Sequence, residues 1–333
     1  MTSKITLRQF LLAAMIVGAG CGGEHDPDGI PAETTGDTTS ATSRDDAGQT
    51  DEATATAVDY SDGYFEGDGF LMSDTHANVI RQITFIGEDI DGIAVGFDLD
   101  NKVSQSGDIE TCLHGDLVSP EGVEGIDNQF ATIWPALKPL VGEQIEGLLQ
   151  GAINEGRILI IVELVGLDDL KNDDDVTVNV FRARLDPEIG TRGLISPDQT
   201  FYKDYDHPIS SAKNVQLVDG ELFAGPVALE IPIDILDAQF NLTIPEAWFR
   251  LTLSDDGAFS GYFGGAFDVP SAINELLNTG ARAETELVAP VFEANTDMGM
   301  VDGTCTLMSA AFFAEGTTAF VVRDANKEPS SNE

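Results

Sequence analysis

Oxygen ligands are densest between residues 98 and 127, where Asp98-Leu99-Asp100-Asn101 is followed by Asp108, Asp116 and Asp127. A hard divalent cation such as calcium takes its ligands from carboxylates, amides and backbone carbonyls. Alternate residues of a loop turn their oxygens to one side, so the Asp98 and Asp100 spacing suits shared ligation. The competing reading is a solvated acidic surface. The same two readings apply to a second run, Asp168, Asp169, Asn172, Asp173, Asp174 and Asp175, placed where a hairpin tip is expected. Catalysis has less support. No Gly-x-Ser-x-Gly elbow, His-x-x-x-His pair or phosphate loop is present. His76, His114 and His207 stand apart in polar sequence, and paired carboxylates for glycoside cleavage are undiagnostic in so acidic a chain.

In its order of Asp-x-Asp, a later Asp and then Cys112, the first cluster distantly resembles the calcium repeats of thrombospondin type 3. The resemblance implies calcium. Lys102 stands where that pattern puts a third ligand, and the EF-hand spacing is not met.

The N-terminus has a different logic. Lys4 and Arg8 precede the short apolar run Leu11 to Val17, and no acid appears before Glu24. These are the parts of a secretory signal over residues 1–20, and the run is too short to span a bilayer as a mature helix. Gly18-Ala19-Gly20-Cys21 resembles the lipobox of bacterial lipoproteins, although the bulky residue three places before the Cys is here Gly18. The resemblance implies that Cys21 becomes the lipidated first residue, bearing palmitate-class chains in a membrane. With Gly22 next, it implies an outer-membrane lipoprotein on the periplasmic or surface-facing side. The plain alternative is an ordinary secretory leader followed by chance by a Cys. If Cys21 is lipidated, Cys112 and Cys305 remain as a pair in an oxidising compartment, bridged or as two buried thiols.

Residues 21–59 read as a tether. They are rich in Gly, Ser, Thr, Asp and Glu, with Arg44 the only basic residue. Such a segment buries too little apolar area to offset its ordering entropy. As a flexible coil it would span roughly 35 Å. His25 within it reads as solvated. The chain's formal net charge of −41 becomes more negative by two when Lys4 and Arg8 leave with the leader. That field argues against nucleic acid and suits cations or basic partners.

From Tyr60 short apolar runs alternate with Gly and Asp turns, and residues 60–325 read as one β-rich domain before an acidic tail, 326–333, read as disordered. Strands are expected at 69–72, 93–97, 157–165, 176–180, 215–218, 227–233, 240–244, 248–253, 258–267, 305–313 and 320–322. The near-continuous Ile/Val run from Arg157 to Val165 predicts burial on both faces, and the alternation at Val176 to Val180 predicts half burial. An acidic loop joins this pair into a hairpin. Asp62-Gly63, Asp219-Gly220 and Asp256-Gly257 read as tight turns.

The helical stretch Phe130 to Ala152 is broken by Pro135 and Pro139, with Asp127 as a candidate cap. A short helix is expected over 270–277. The fold class is therefore an antiparallel β-sandwich or open barrel with one Pro-broken helical segment and one short helix.

Three functions follow: a non-enzymatic, membrane-anchored module binding glycan or protein with calcium, a periplasmic carrier of lipid or another apolar ligand, and a secreted hydrolase. Whether the space under the Phe130 to Ile153 helix is filled or hollow separates the first two.

Overall fold

The computed structural model describes residues 70–72, 75–89, 91–139, 143–235, 238–280, 282–324 and 326–328. The leader, Cys21, the tether, the Asp62-Gly63 turn and residues 329–333 lie outside them. Among the described residues no helix is long and apolar enough to cross a membrane.

In chain order the elements are β1 (Phe70–Met72), β2 (His76–Phe85), β3 (Leu117–Val118), β4 (Glu124–Ile126), α1 (Gln129–Leu137), α2 (Glu143–Asn154), β5 (Ile160–Val165), β6 (Asp173–Arg184), β7 (Gln199–Lys203), β8 (Ser210–Val218), β9 (Glu221–Ile235), β10 (Ala238–Leu253), β11 (Phe259–Asp268), α3 (Val269–Asn278), α4 (Arg282–Glu293) and β12 (Leu307–Asp324).

The fold is mainly β and antiparallel. Strands β2, β5, β6, β8, β9, β10, β11 and β12 pair in that order, and β12 returns to β2 to close a ring. Strand β7 runs parallel to the end of β12, and β1 pairs with its last residues. The β5–β6 hairpin forms as expected, with Ile160 to Leu164 buried throughout and Val176, Val178 and Val180 buried in alternation. Asp219-Gly220 is a tight turn with both residues at positive φ, joining β8 to β9. That joint is loose beyond the turn: the ladder covers only Leu217 with Leu222 and Val218 with Glu221.

An eight-stranded barrel is just wide enough for side chains to fill it. Here helices help. Helix α2 packs on β2 and also reaches β9, four strands away around the ring, so it lies across the lumen. Phe130 and Trp134 of α1 form one aromatic cluster with Phe85 and Phe312, at centroid separations of 4.7 to 5.8 Å. Leu149, Ala152 and Ile153 of α2 are buried in the same core. The space under the helical segment is thus occupied by side chains.

Several boundaries differ from the sequence reading. Pro135 falls inside α1, which stops two residues later, and α2 begins beyond Pro139. Asn128, not Asp127, caps α1: its side chain accepts the Ala131 N–H, and the Asp127 carboxylate is engaged elsewhere. The expected pairs 240–244 with 248–253, and 305–313 with 320–322, are each one long strand, bulged in β10 between Ile244 and Phe249. Ile93 to Phe97 makes only isolated bridges, to Val118 and Asp127. Strands β2 and β7 and helix α4 were not anticipated, because His76, Asn78, Arg81 and Gln82 break the apolar alternation in β2 and Pro290 interrupts α4.

Arg323 near the end of β12 reaches Glu163 of β5 with both carboxylate oxygens at 2.6 Å, and Glu163 is fully buried. Thr75 and Asn179 donate to the same carboxylate. Glu328 in turn receives Lys203 and Tyr205, each at 2.7 Å.

Candidate metal centre

The centre sits in the long excursion between β2 and α1, whose ladder among the described residues is the small β3–β4 pair. Two ties hold this excursion to the barrel. One is the disulfide between Cys112 and Cys305, α-carbons 6.0 Å apart across 193 residues of sequence. In the chain-entropy picture so long a loop contributes up to about 5 kcal/mol. The other tie is Asn128, which is buried and donates to the Val95 carbonyl at 2.7 Å while accepting the Ala311 N–H of β12 at 3.1 Å.

Of the five predicted acids, three converge. Asp98, Asp100 and Asp127 each place a carboxylate oxygen within 4.8 Å of the other two, a spacing that could hold a metal ion. The local chain explains the convergence. Asn101 takes a left-handed conformation, φ 59°, and Asp100 accepts the Lys102 N–H at 2.9 Å, which folds 98–102 into a tight turn. The Phe97 carbonyl accepts the Asp127 N–H at 2.9 Å, bringing the far end of the excursion beside that turn. Gly125 makes the close approach possible: it has φ +84°, and a Cβ there would lie 2.6 Å from the Lys102 carbonyl oxygen. Lys102 is not an intruder, because its ammonium pairs with Glu110 at 2.8 Å at the surface.

The remaining two acids behave differently. Asp116 accepts the Ser104 N–H at 2.6 Å, and its carboxyl is held above the ordinary value by burial, against that hydrogen bond, with Asp100, Asp98 and Asp108 adding negative charge. It is therefore a neighbour of the triad. Asp108 spends its carboxylate on the Gln105 N–H at 2.8 Å, closing its own turn.

Asp127 is the most perturbed group. It is 5% exposed, and burial pushes its carboxyl up to about 8. The Leu99 N–H at 2.6 Å opposes this, while Asp116, Asp100 and Asp297 push the same way. A cation among these oxygens would supply the missing counter-charge.

Sequence reasoning missed Asp297, which lies 170 residues beyond Asp127 and carries no local motif. It is buried, and burial lifts it to about 6 despite accepting both the hydroxyl and the N–H of Ser309. Ser309 Oγ also accepts the Gln129 N–H at 2.8 Å, so Asp297 fixes the start of α1. Asp116, Asp127, Asp297 and His114 line a cavity of about 10 Å³, the size of one water or one ion.

The second acidic run folds onto itself. Asp173 accepts the Asp168 and Asp175 N–H groups, and Asp169 accepts those of Lys171 and Asn172, all at exposed positions. No family model, curated protein or solved structure matches the chain.

Proposed function

We propose that this chain is a membrane-tethered, non-enzymatic binding module. Its barrel head is braced by calcium at Asp98, Asp100 and Asp127 and recognises glycan or protein. The carrying observation is the convergence of three carboxylates around a buried Asp127. Their repulsion is relieved by a hard divalent cation, and carboxylate-only donors favour calcium over the softer metals. Two further observations support a module over its rivals. A carrier needs a hollow interior, whereas the region under α1 and α2 is occupied by the Phe85, Phe130, Trp134 and Phe312 cluster. A glycosidase needs facing carboxylates in an open cleft. Asp116, Asp127 and Asp297 share a space of about 10 Å³, too small for a sugar ring. The leader, lipobox and acidic tether favour anchorage through Cys21 and the outer membrane.

Thermal melts with chelator and with millimolar calcium, at fixed ionic strength, test the reading. A cation binding only the folded state adds about 2.7 kcal/mol at a hundredfold excess over Kd. For a domain this large that raises the melting temperature by several degrees. Asp98→Ala with Asp100→Ala should abolish the shift, and an equal shift in both proteins overturns the cation centre. Separately, Cys21→Ser should move the protein from the membrane to the soluble fraction. Unchanged membrane recovery would remove the lipid anchor.

A further inference from the structure

Among the described residues six large apolar side chains are 52% exposed or more. Five of the six belong to one region: Val103, Ile109, Leu113 and Val123 on the excursion, and Val301 on the turn that its disulfide reaches. Exposed apolar residues scattered singly are ordinary, whereas a concentration of them marks an interaction surface. Short ties hold these five together. Ile109 and Leu113 share a turn, in which the Leu113 N–H donates to the Asp108 carbonyl at 2.8 Å and the Gly107 N–H to the Leu113 carbonyl at 3.1 Å. Val301 opens a turn closed by two bonds with Thr304, at 2.8 and 3.0 Å, and Cys305 next to it is bridged to Cys112 beside Leu113. Val103 follows Lys102, whose ammonium holds Glu110 next to Ile109. Its Cγ2 stands 3.3 Å from the point that a Cβ on Gly125 would occupy, two residues from Val123.

Three features identify what covers this patch. The first is residue type. All five side chains are aliphatic, and Leu and Val are under-represented among the anchors of protein interfaces, where Trp, Tyr and Arg dominate. A bilayer surface needs no fitted pocket, and its hold grows with the apolar area buried. Leu113, 61% exposed, is displayed at a cost: its backbone is left-handed at φ 75°, which disfavours a branched side chain and is rewarded by no core contact. The second feature is charge. Asp108, Glu110 and Asp302 stand among the tips in a chain of net charge −41, and Lys102 is spent on Glu110. Lipid phosphates are repelled by such a rim unless a divalent cation stands between, and Asp98, Asp100 and Asp127 lie in the same excursion. The third is reach. From Cys21 to Phe70 the chain has a contour of up to about 160 Å. Strand β12, which begins beside Cys305 and ends where β1 pairs, is about 60 Å long. A head held through Cys21 can therefore bring the excursion to the bilayer that holds it, at a high effective concentration.

We propose that these five side chains enter the surface of a phospholipid bilayer, with a divalent cation relieving the acids beside them. The proposal rests on the membrane-tethered reading above and gives the head a contact of its own with the lipid.

Vesicle flotation tests it, using the full chain with Cys21→Ser so that no lipid on that residue masks the contact. The vesicles contain three parts phosphatidylethanolamine to one part phosphatidylglycerol. The protein should float with them in millimolar calcium and stay below in chelator. Ile109→Ser with Leu113→Asn should reduce the floating fraction at least about tenfold, Asn being chosen because it accepts the left-handed backbone. Val218→Ser removes the sixth exposed side chain, which lies on β8 outside the patch, and should leave flotation unchanged. Melts of each variant confirm that the barrel persists. No flotation in calcium, equal flotation in chelator, flotation that survives the double substitution, or an equal loss in Val218→Ser would each overturn the proposal. A dimer formed without vesicles and dissociated by the double substitution would assign the patch to a second copy and overturn it too. Two comparisons keep this contact apart from the other readings. Calcium-dependent flotation that persists in Asp98→Ala with Asp100→Ala upholds the face and removes the cation centre, whereas calcium-dependent melts without flotation do the reverse. Cell membranes washed with chelator release the Cys21→Ser chain and keep the lipidated one, so loss of the lipid anchor is not mistaken for loss of the face.

Discussion

Phe97 and Phe223 pack with ring centroids 6.1 Å apart and planes tilted by 35°, which places the residue before Asp98 against β9 beside the short β8–β9 ladder. The residue beside the Asp98–Asp100 turn is therefore in contact with β9. An ion that tightened the turn would move Phe97 and, through it, the Phe223–Trp248 stack.

The two tryptophans make this contact measurable. Trp248 stacks on Phe223, whereas Trp134 of α1 is buried in the core against Phe85 and Phe130. Calcium should change the intrinsic emission of the wild type and of Trp134→Phe, and leave Trp248→Phe unchanged. Persistence of the change in Trp248→Phe would show that the signal arises in the core and that the contact transmits nothing.

Protons should substitute for the cation. Asp127 and Asp297 are lifted to about 8 and about 6 in the folded protein, so each binds a proton more tightly folded than unfolded. Their contribution to stability is complete below the unfolded carboxyl value, near pH 4, and is lost as pH rises through 6 and then 8. In chelator the melting temperature should therefore fall steadily from pH 5.5 to 8.5. Glu163, Glu328 and Asp204 are held below their ordinary values, so what they contribute is lost only under more acidic conditions, outside this window. Asp127→Asn should raise the melting temperature at pH 8 in chelator and flatten the upper part of the curve. A flat wild-type profile would show that burial does not govern these carboxyls.

The buried Glu163–Arg323 pair makes a separate prediction. Burial pushes the Glu163 carboxyl up, but Arg323, Thr75 and Asn179 outweigh it and hold it low. Arg323→Met would leave a fully buried carboxylate without the guanidinium that holds it low. Removing one partner of such a pair costs about 3–5 kcal/mol. Replacing both, as Glu163→Leu with Arg323→Met, should recover most of that loss in denaturant melts. A double variant no better than the single one would place the loss in packing of the Arg323 stem over Phe181, where the guanidinium lies 5.3 Å from the ring.

Where apolar spacing was regular, the sequence was readable. The Ile/Val run of β5, the alternation in β6, the Asp219-Gly220 turn and the Asp268-capped helix α3 all announce themselves locally. Strand β2 does not, because the side chains that interrupt its pattern are satisfied at long range. Asn78 and His76 share the Gly257 carbonyl, and Arg81 pairs with Glu315 on β12. The candidate centre divides the same way. Asp98 and Asp100 are neighbours in one turn and could be read together, and Asp127 joins them through a single backbone bridge to Phe97. Asp297 was invisible because only the folded barrel brings the start of β12 to α1.

The β2–β12 pairing sets the order in which this protein can be made. Ala77 lies opposite Ala319, so the ring joins strands from the two extremes of the described barrel. No partial chain released from the N-terminus can close it, and contacts of such long range form late because the intervening loop must first be ordered. Cys112 likewise waits for Cys305. Until its last strand emerges, a chain with this connectivity remains an open ribbon, and the ring locks only once β12 is complete.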